Sequence, residues 1–180
     1  MKQITWRKGL FVVLAILQVS AALYMVWRWE DILQTGQSYR WQTAPVDPYD
    51  ALRGRYVRFS FKGNKVPLVG EAVPGVGQRA YALIGRDEKG YAVLQGVQAE
   101  RPRKGEYVRV KVQQVSAAGV SVNLPFDRFY LEESLAPEAE KAFRAAAGQE
   151  SSVAVRIKNG DAVVEELYIE NIPLLDYLKR

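Results

Sequence analysis

The chain has 180 residues, of which 25 are Lys or Arg and 20 are Asp or Glu, and it contains neither His nor Cys. The two absences exclude Ser-His-Asp and Cys-His sites, thiolate nucleophiles, disulfide bonds and the usual imidazole or thiolate zinc ligands. Any chemistry would have to use carboxylates, Lys, Tyr or Ser, and the sequence predicts no cofactor, no metal site and no catalytic residue.

The first predicted element is a helix over residues 9–27 (GLFVVLAILQVSAALYMVW), a run without a charged residue. At about 1.5 Å per residue the run is roughly 28 Å long, close to the ~30 Å hydrocarbon thickness of a bilayer. Lys2, Arg7 and Lys8 precede the run, and this positive flank predicts a cytoplasmic N-terminus in the cytoplasmic (inner) membrane. We therefore expect a single-pass protein whose partner is the lipid bilayer and whose C-terminal domain is extracytoplasmic, in the periplasm.

The competing interpretation of this helix is a cleaved signal peptide, for which Val19, Ser20 and Ala21 offer small residues at a suitable spacing. The apolar run continues through residues 23–26, past that site, and is longer than a usual signal core. An uncleaved anchor is therefore the preferred interpretation.

The remainder of the chain is nearly neutral, because removing the three flanking cations from the 25 basic residues leaves 22, against 20 acidic residues. This balance gives no reason to expect nucleic-acid binding. The residues that follow the anchor suffice for one domain with its own core. We divide the chain into a cytoplasmic tip and transmembrane anchor (1–29), a polar stalk (30–48) ending at Pro45 and Pro48, and an extracytoplasmic β-rich domain (49–180).

The domain opens with a strand whose pattern returns later in the chain. Residues 54–61 (GRYVRFSF) and 105–112 (GEYVRVKV) share Gly-x-Tyr-Val-Arg followed by strict alternation of apolar and polar residues. Alternation with a period of two places one face of each strand in the core and the other in solvent. The residues expected on the inward apolar face are Val57, Phe59 and Phe61 in the first copy and Val108, Val110 and Val112 in the second.

Three hairpins are predicted in the same region. Their strand pairs are residues 81–84 with 91–94, 107–115 with 120–124, and 153–157 with 162–167. The turn at Asn159-Gly160 has the strongest signal, since Asn-Gly favours a type I′ turn. A strand followed by a hairpin in each half is compatible with a strand-hairpin duplication.

One short soluble helix is predicted between Pro137 and Gly148, with an apolar stripe that includes Phe143. The apolar C-terminal segment 172–178 is too short to span a bilayer. It either packs across an open end of the sheet or docks on a partner. The predicted fold class is therefore mainly β: a transmembrane helix followed by an antiparallel sheet or barrel-like domain with one short helix.

Residues 45–61 (PVDPYDALRGRYVRFSF) resemble the signature of the GDYXXLXY family of bacterial membrane-anchored proteins. Family members look like (V/I)DPxDxLRGDYVxLxY at this point, directly after one N-terminal membrane segment. The matching positions are Asp47, Pro48, Asp50, Leu52, Arg53, Gly54, Tyr56 and Val57. Arg55 replaces the family's acidic residue, and Phe59 and Phe61 replace its Leu and last Tyr. A second block, residues 128–133 (RFYLEE), is similar to the family's YFVxEG, with Glu133 on its acid.

The resemblance implies little about chemistry, because the family has no established biochemical activity. Members are thought to accompany polytopic membrane proteins, which implies an accessory or binding role beside such a partner. The two blocks then supply the candidate binding residues: Asp47, Asp50, Arg53, Tyr56, Arg58, Arg128, Tyr130 and Glu133.

The acidic candidates also have ordinary structural interpretations. Asp47, Asp50 and Arg53 form either a polar recognition patch or a turn in which Asp caps backbone N–H groups. Glu132 and Glu133 are acid/base candidates, but adjacent strand residues point to opposite faces and cannot form a facing pair. A hydrolase would need Glu133 to meet Asp47 or Asp50 in space.

The polar faces of the two repeated strands carry Arg58, Arg109 and Lys111 beside Tyr56 and Tyr107. Such a face suits an anionic lipid headgroup or a polysaccharide if it lines a groove, and it is ordinary sheet decoration if it faces water. The strand pattern also resembles that of signal peptidases, but no Ser-Met follows the membrane segment, so their Ser-Lys dyad is not expected. We therefore expect a non-catalytic accessory module; the alternative is a carboxylate-dependent hydrolase acting on cell-envelope polymers.

Overall fold

The computed structural model describes residues 2–44, 56–58, 60–61, 63, 65–70, 72–132, 134–146 and 151–179. Its first element is a long helix, α1 (Lys2–Thr35). The segment Trp6–Thr35 is long and apolar enough to cross a membrane, and its most apolar window is not buried against the rest of the protein. The helix predicted from the charge-free run is thus confirmed as a segment able to span a bilayer.

β-Strands dominate the rest of the described chain. They are β1 (Gln37–Ala44), β2 (Tyr56–Arg58), β3 (Ser60–Phe61), β4 (Lys65–Val66), β5 (Arg79–Arg86), β6 (Ala92–Gln98), β7 (Tyr107–Ser116), β8 (Gly119–Asn123), β9 (Arg128–Tyr130), β10 (Ser151–Lys158), β11 (Asp161–Ile169) and β12 (Ile172–Pro173). Two further helices are α2 (Ala136–Ala146) and α3 (Leu174–Tyr177). The predicted mainly β fold class is confirmed.

The connection between α1 and the first strand is a single residue, Gly36. Its N–H donates to the Ile32 carbonyl (2.8 Å), and a Cβ at this position would lie 2.4 Å from that oxygen, so the junction requires glycine. β1 follows at once as an interior strand of a sheet. The stalk predicted for residues 30–48 is therefore wrong through Ala44, and residues 45–48 lie outside the described residues.

The first sheet has the strand order β12-β11-β10-β1-β3, and every neighbouring pair is antiparallel. Its β10–β11 hairpin turns at Asn159 and Gly160, whose φ values of 53° and 82° suit a type I′ turn. A bulge between Ala154 and Val155 shifts the register of this hairpin. The hairpin predicted from Asn-Gly is confirmed.

The second sheet has the strand order β4-β8-β7-β5-β6 and contains the other two predicted hairpins, β5–β6 and β7–β8. The residues after β4 return to β6: Val69 N–H donates to the Val97 carbonyl (2.7 Å), and Val97 N–H donates to the Pro67 carbonyl (2.9 Å). These bonds join the two edges of the sheet, so the five strands form a small, nearly closed barrel.

The two copies of the repeated strand pattern pair differently. In the first copy, β2 pairs with β9 and β3 pairs with β1, so the single strand predicted over residues 54–61 is divided. In the second copy the three valines are buried as predicted: Val108, Val110 and Val112. Tyr107 is also buried, against the alternation, because the Gly160 turn of the other sheet packs on its ring.

The core between the sheets contains three aromatic rings, from Trp41 in β1, Phe61 in β3 and Phe126 after β8. Their ring centroids lie 5.3 to 5.8 Å apart in tilted or edge-on geometry. Such pairs each contribute about 0.5–1.5 kcal/mol beyond the area that they bury. The prediction that Phe61 is a core residue is confirmed, whereas Phe59 lies outside the described residues.

The helices after the anchor cover the sheets with their apolar residues. Ala139 and Phe143 of α2 are buried, which confirms the helix predicted from its apolar stripe. Leu174 of α3 is fully buried, and α3 contacts β11. Of the two interpretations of the C-terminal segment, packing on the sheet is therefore the one that the structure shows.

Candidate functional site

The structure pairs the two sequence blocks that carry the family resemblance. β2 and β9 are antiparallel, with Tyr56 opposite Tyr130 and Arg58 opposite Arg128. Four of the predicted binding residues therefore lie on one two-stranded ribbon. The other four, Asp47, Asp50, Arg53 and Glu133, lie outside the described residues.

The ribbon borders an apolar cleft of about 470 Å³ at the C-terminal end of α1. This Trp29 cleft is lined by Trp29 itself, by residues 125–130 and by residues 162–164 of β11. Tyr130 is 68% exposed and Trp29 is 46% exposed. Large aromatic side chains left open to solvent beside a cleft are typical of a docking surface.

The end of α1 is held against the domain by Lys158 of β10. Its Nζ donates to both carboxylate oxygens of Asp31 (2.9 and 2.7 Å) and to Thr35 Oγ1 (2.7 Å). Ile32, between these two helix residues, is buried. Polar bonds and a buried apolar side chain together fix the direction in which the helix leaves the domain.

Asp161, at the start of β11, joins α1 to the barrel. Its Oδ2 accepts a hydrogen bond from Arg28 Nη2 (2.5 Å), and its Oδ1 forms an ion pair with Arg109 of β7. The Gly160 carbonyl also accepts a hydrogen bond from the Arg109 N–H (2.9 Å). The anchor helix, the β10–β11 turn and the barrel therefore meet at one point.

A second cleft, of about 560 Å³, opens on the barrel side of Asp161. Arg79, Arg109 and Lys111 line this basic cleft. Pro125 lines both clefts, which are therefore neighbours. Of the two interpretations of the polar strand face, the structure favours the groove for Arg109 and Lys111.

Two neighbouring carboxylates of β11 have opposite environments. Glu165 accepts two hydrogen bonds from Arg156 (2.9 Å from Nε and 2.7 Å from Nη2) and one from Ser38 (3.0 Å), and the bonds from Arg156 contribute most to a lowered pKa of Glu165. Burial raises the pKa of Glu166. A raised carboxyl pKa suits a general acid when the group faces a cleft, but Glu166 lines neither cleft.

The two clefts differ in character: the Trp29 cleft is mainly apolar, and the other is lined by cations. Among the described residues, no three His, Cys, Asp or Glu side chains lie close enough together to hold a metal ion. The carboxylates that a hydrolase would use, Glu133 with Asp47 or Asp50, lie outside the described residues, so that alternative remains a prediction.

Sequence reasoning did not identify Trp29, Arg28, Asp161 or Arg79 as site residues. Arg28 is the first charged residue after the apolar run, and Asp161 directly follows the Asn-Gly turn, so both positions carried a local signal. Their contact joins residues 133 positions apart, and no local pattern indicates that pairing.

A family model described as GDYXXLXY protein matches residues 18–167. The matched range includes both sequence blocks and every residue that lines the two clefts. No curated protein and no solved structure matches the chain. Because the match covers most of its length, the chain belongs to the GDYXXLXY family.

Proposed function

We propose that this protein is a non-catalytic, membrane-anchored accessory module that docks on a polytopic membrane protein through the Trp29 cleft. In this proposal α1 spans the inner membrane with its N-terminus in the cytoplasm, and the β-rich domain stands in the periplasm. The observation that supports it most is the fixed attachment of helix to domain: Gly36 alone separates α1 from β1, and Lys158 bonds Asp31 and Thr35 of the helix.

A fixed attachment sets the height of the Trp29 cleft above the bilayer. Trp29 lies two residues after the charge-free run, at the level where Trp and Tyr concentrate at membrane interfaces. The cleft therefore opens where the loops and helix ends of a neighbouring membrane protein lie. A ligand from bulk solvent would not require the domain to be held at this height.

The chemistry of the cleft suits a protein partner. Trp, Tyr and Arg are the residue types most enriched among interface residues that dominate binding energy, and Trp29, Arg128 and Tyr130 all line this cleft. The remaining lining side chains are mostly apolar, as in the centre of a protein interface.

The test is site-specific photo-crosslinking in intact membranes. A photoreactive amino acid is placed at Tyr130 and, in a second variant, at Trp29; the control position is Glu88, which is exposed in the β5–β6 turn and lines neither cleft. Both cleft positions should give an adduct with the same polytopic membrane protein, and Glu88 should not.

Adducts of equal yield from all three positions would contradict the proposed docking surface. A lack of adducts, together with turnover of a cell-envelope polymer that is lost in Glu133→Gln, would contradict the accessory role and favour the hydrolase. A C-terminal reporter that is active only outside the cytoplasm should give signal, whereas activity of a cytoplasm-only reporter would contradict the proposed orientation.

A further inference from the structure

The basic cleft contains two cations, Arg79 and Lys111, that no described carboxylate neutralises. Arg79 in β5 and Lys111 in β7 are direct cross-strand partners, and both are exposed. Like charges placed opposite each other on neighbouring strands destabilise a sheet. Within the described part of the chain neither cation has a carboxylate partner, so the pair favours an anion bound from outside.

Among the described residues that line the basic cleft, Asp161 is the one carboxylate, and it is already engaged. Asp161 accepts a hydrogen bond from Arg28 and pairs with Arg109. Among the described lining residues, the three cations Arg79, Arg109 and Lys111 therefore outnumber this one carboxylate. A singly or doubly negative group would reduce this imbalance.

The same ion pairs fix the position of the cleft relative to the bilayer. Arg28 is the first charged residue after the charge-free run, and in a spanning helix the first charge marks the headgroup level. Because Arg28 reaches Asp161 directly, the basic cleft opens at that level as well.

An exposed apolar loop adjoins the cleft. Val73 and Val76 expose 60% and 68% of their surface, and the same loop includes Gly77, which lines the cleft. Apolar side chains beside a basic patch are the combination by which proteins insert into an interface and hold anionic headgroups. A site for a free anion would need only the cations and would not need an exposed apolar loop beside them.

We infer that the basic cleft binds the phosphodiester headgroup of an anionic phospholipid in the leaflet from which α1 emerges. Arg79 and Lys111 contact the phosphate oxygens, and Val73 and Val76 enter the acyl-chain boundary. This inference rests on the proposed function only in taking α1 to span the bilayer, and it concerns a different cleft from the one that docks the protein partner.

The experiment uses purified full-length protein inserted in nanodiscs that contain equal amounts of phosphatidylcholine and phosphatidylglycerol. The protein is then released from the nanodiscs, and native mass spectrometry counts the lipid molecules of each kind that stay bound to it. The wild type should retain phosphatidylglycerol preferentially. The double variant Arg79→Gln with Lys111→Gln should lose about tenfold or more of that preference, since each cation near an anionic surface contributes roughly fivefold in affinity. Neither substitution removes an ion pair from the described structure.

The matched control is Arg103→Gln with Lys104→Gln, an exposed pair outside the cleft that changes the net charge equally. This control should keep the lipid preference, and an equal loss in both double variants would overturn the inference. Displacement of phosphatidylglycerol by excess inorganic phosphate would show that the anion site is not specific for lipid, and would also overturn it. If the wild-type protein inserts in the nanodiscs but shows no lipid preference, the lipid site is refuted. That result would leave the crosslinking test of the protein partner unaffected.

Discussion

Replacing Gly160 by alanine adds one methyl group at the contact between the two sheets and should weaken that contact. The φ of Gly160 is +82°, and a Cβ there would lie 2.6 Å from Tyr107 Cε2 and 3.1 Å from Arg109 Cγ. An alanine in this conformation costs about 1–2 kcal/mol for its backbone. Tyr107 is buried and its ring packs edge-on against Tyr81, so the ring cannot move freely. Displacing the ring to make room for the methyl group costs roughly a further 1–3 kcal/mol.

Gly90, in the β5–β6 turn, is a matched control for this substitution. Its φ is also +82°, but a Cβ there would meet nothing within 4 Å. Gly90→Ala should therefore lower the free energy of unfolding by about 1–2 kcal/mol, and Gly160→Ala by about 2–5 kcal/mol. The gain from restricting the unfolded chain is equal in the two variants and cancels in their difference.

The measurement is urea unfolding of the full-length protein in detergent micelles, followed by tryptophan fluorescence. Three of the four Trp residues lie in α1, so the change in signal comes mainly from Trp41, which is buried between the sheets. A difference of at least about 1 kcal/mol between the two variants is expected from the ring contact. Equal losses for Gly160→Ala and Gly90→Ala would refute the reasoning that the turn packs closely on the barrel.

Further variants test the core and the charge environments. Phe61→Ala should destabilise the protein by about 3–5 kcal/mol, because it removes one ring of a buried cluster; Val73→Ala, at an exposed position, should change stability by less than about 0.5 kcal/mol in the same urea assay. Glu165 has a lowered pKa, so its stabilising contribution is present above the ordinary carboxyl pKa and is lost as the pH falls through the lowered value. The stability lost in Glu165→Gln should accordingly be largest near pH 7 and shrink in acid. Burial raises the pKa of Glu166, so the charged carboxylate destabilises the folded protein at neutral pH, and this destabilisation disappears when the group is protonated in acid. Glu166→Gln should therefore stabilise the protein near pH 7. A pH trend of the same sign for the Glu165 and Glu166 variants would contradict the assigned environments.

The features that the sequence predicted correctly are those that short windows encode. The apolar run, the three hairpins and the alternating valines of β7 all depend on residues close together in the chain. Strand partners are different, because alternation fixes which face is buried and does not fix which strand lies alongside. The pairing of Tyr56–Arg58 with Arg128–Tyr130 therefore had no local signal, although both blocks were recognisable in isolation.

The site was less predictable than the fold for the same physical reason. Each of its clefts is built where distant elements meet, and Asp161 contacts residues of both α1 and β7. Tyr107 shows the effect on a single side chain: alternation predicts an exposed ring, but the Gly160 turn of the other sheet covers it. Burial at such a junction depends on the tertiary arrangement and not on the strand's own pattern.

The error in the predicted stalk has the most direct consequence for the proposed function. Residues 37–44 appear polar, yet Tyr39, Trp41 and Thr43 alternate into the core, and the polar Thr43 is accommodated because its hydroxyl bonds Ser151 Oγ (2.5 Å). A buried hydroxyl with a partner costs little, so composition alone concealed an interior strand. A flexible stalk would let the domain sample many distances from the end of the helix, whereas the direct connection through Gly36 holds both clefts close to the C-terminal end of α1.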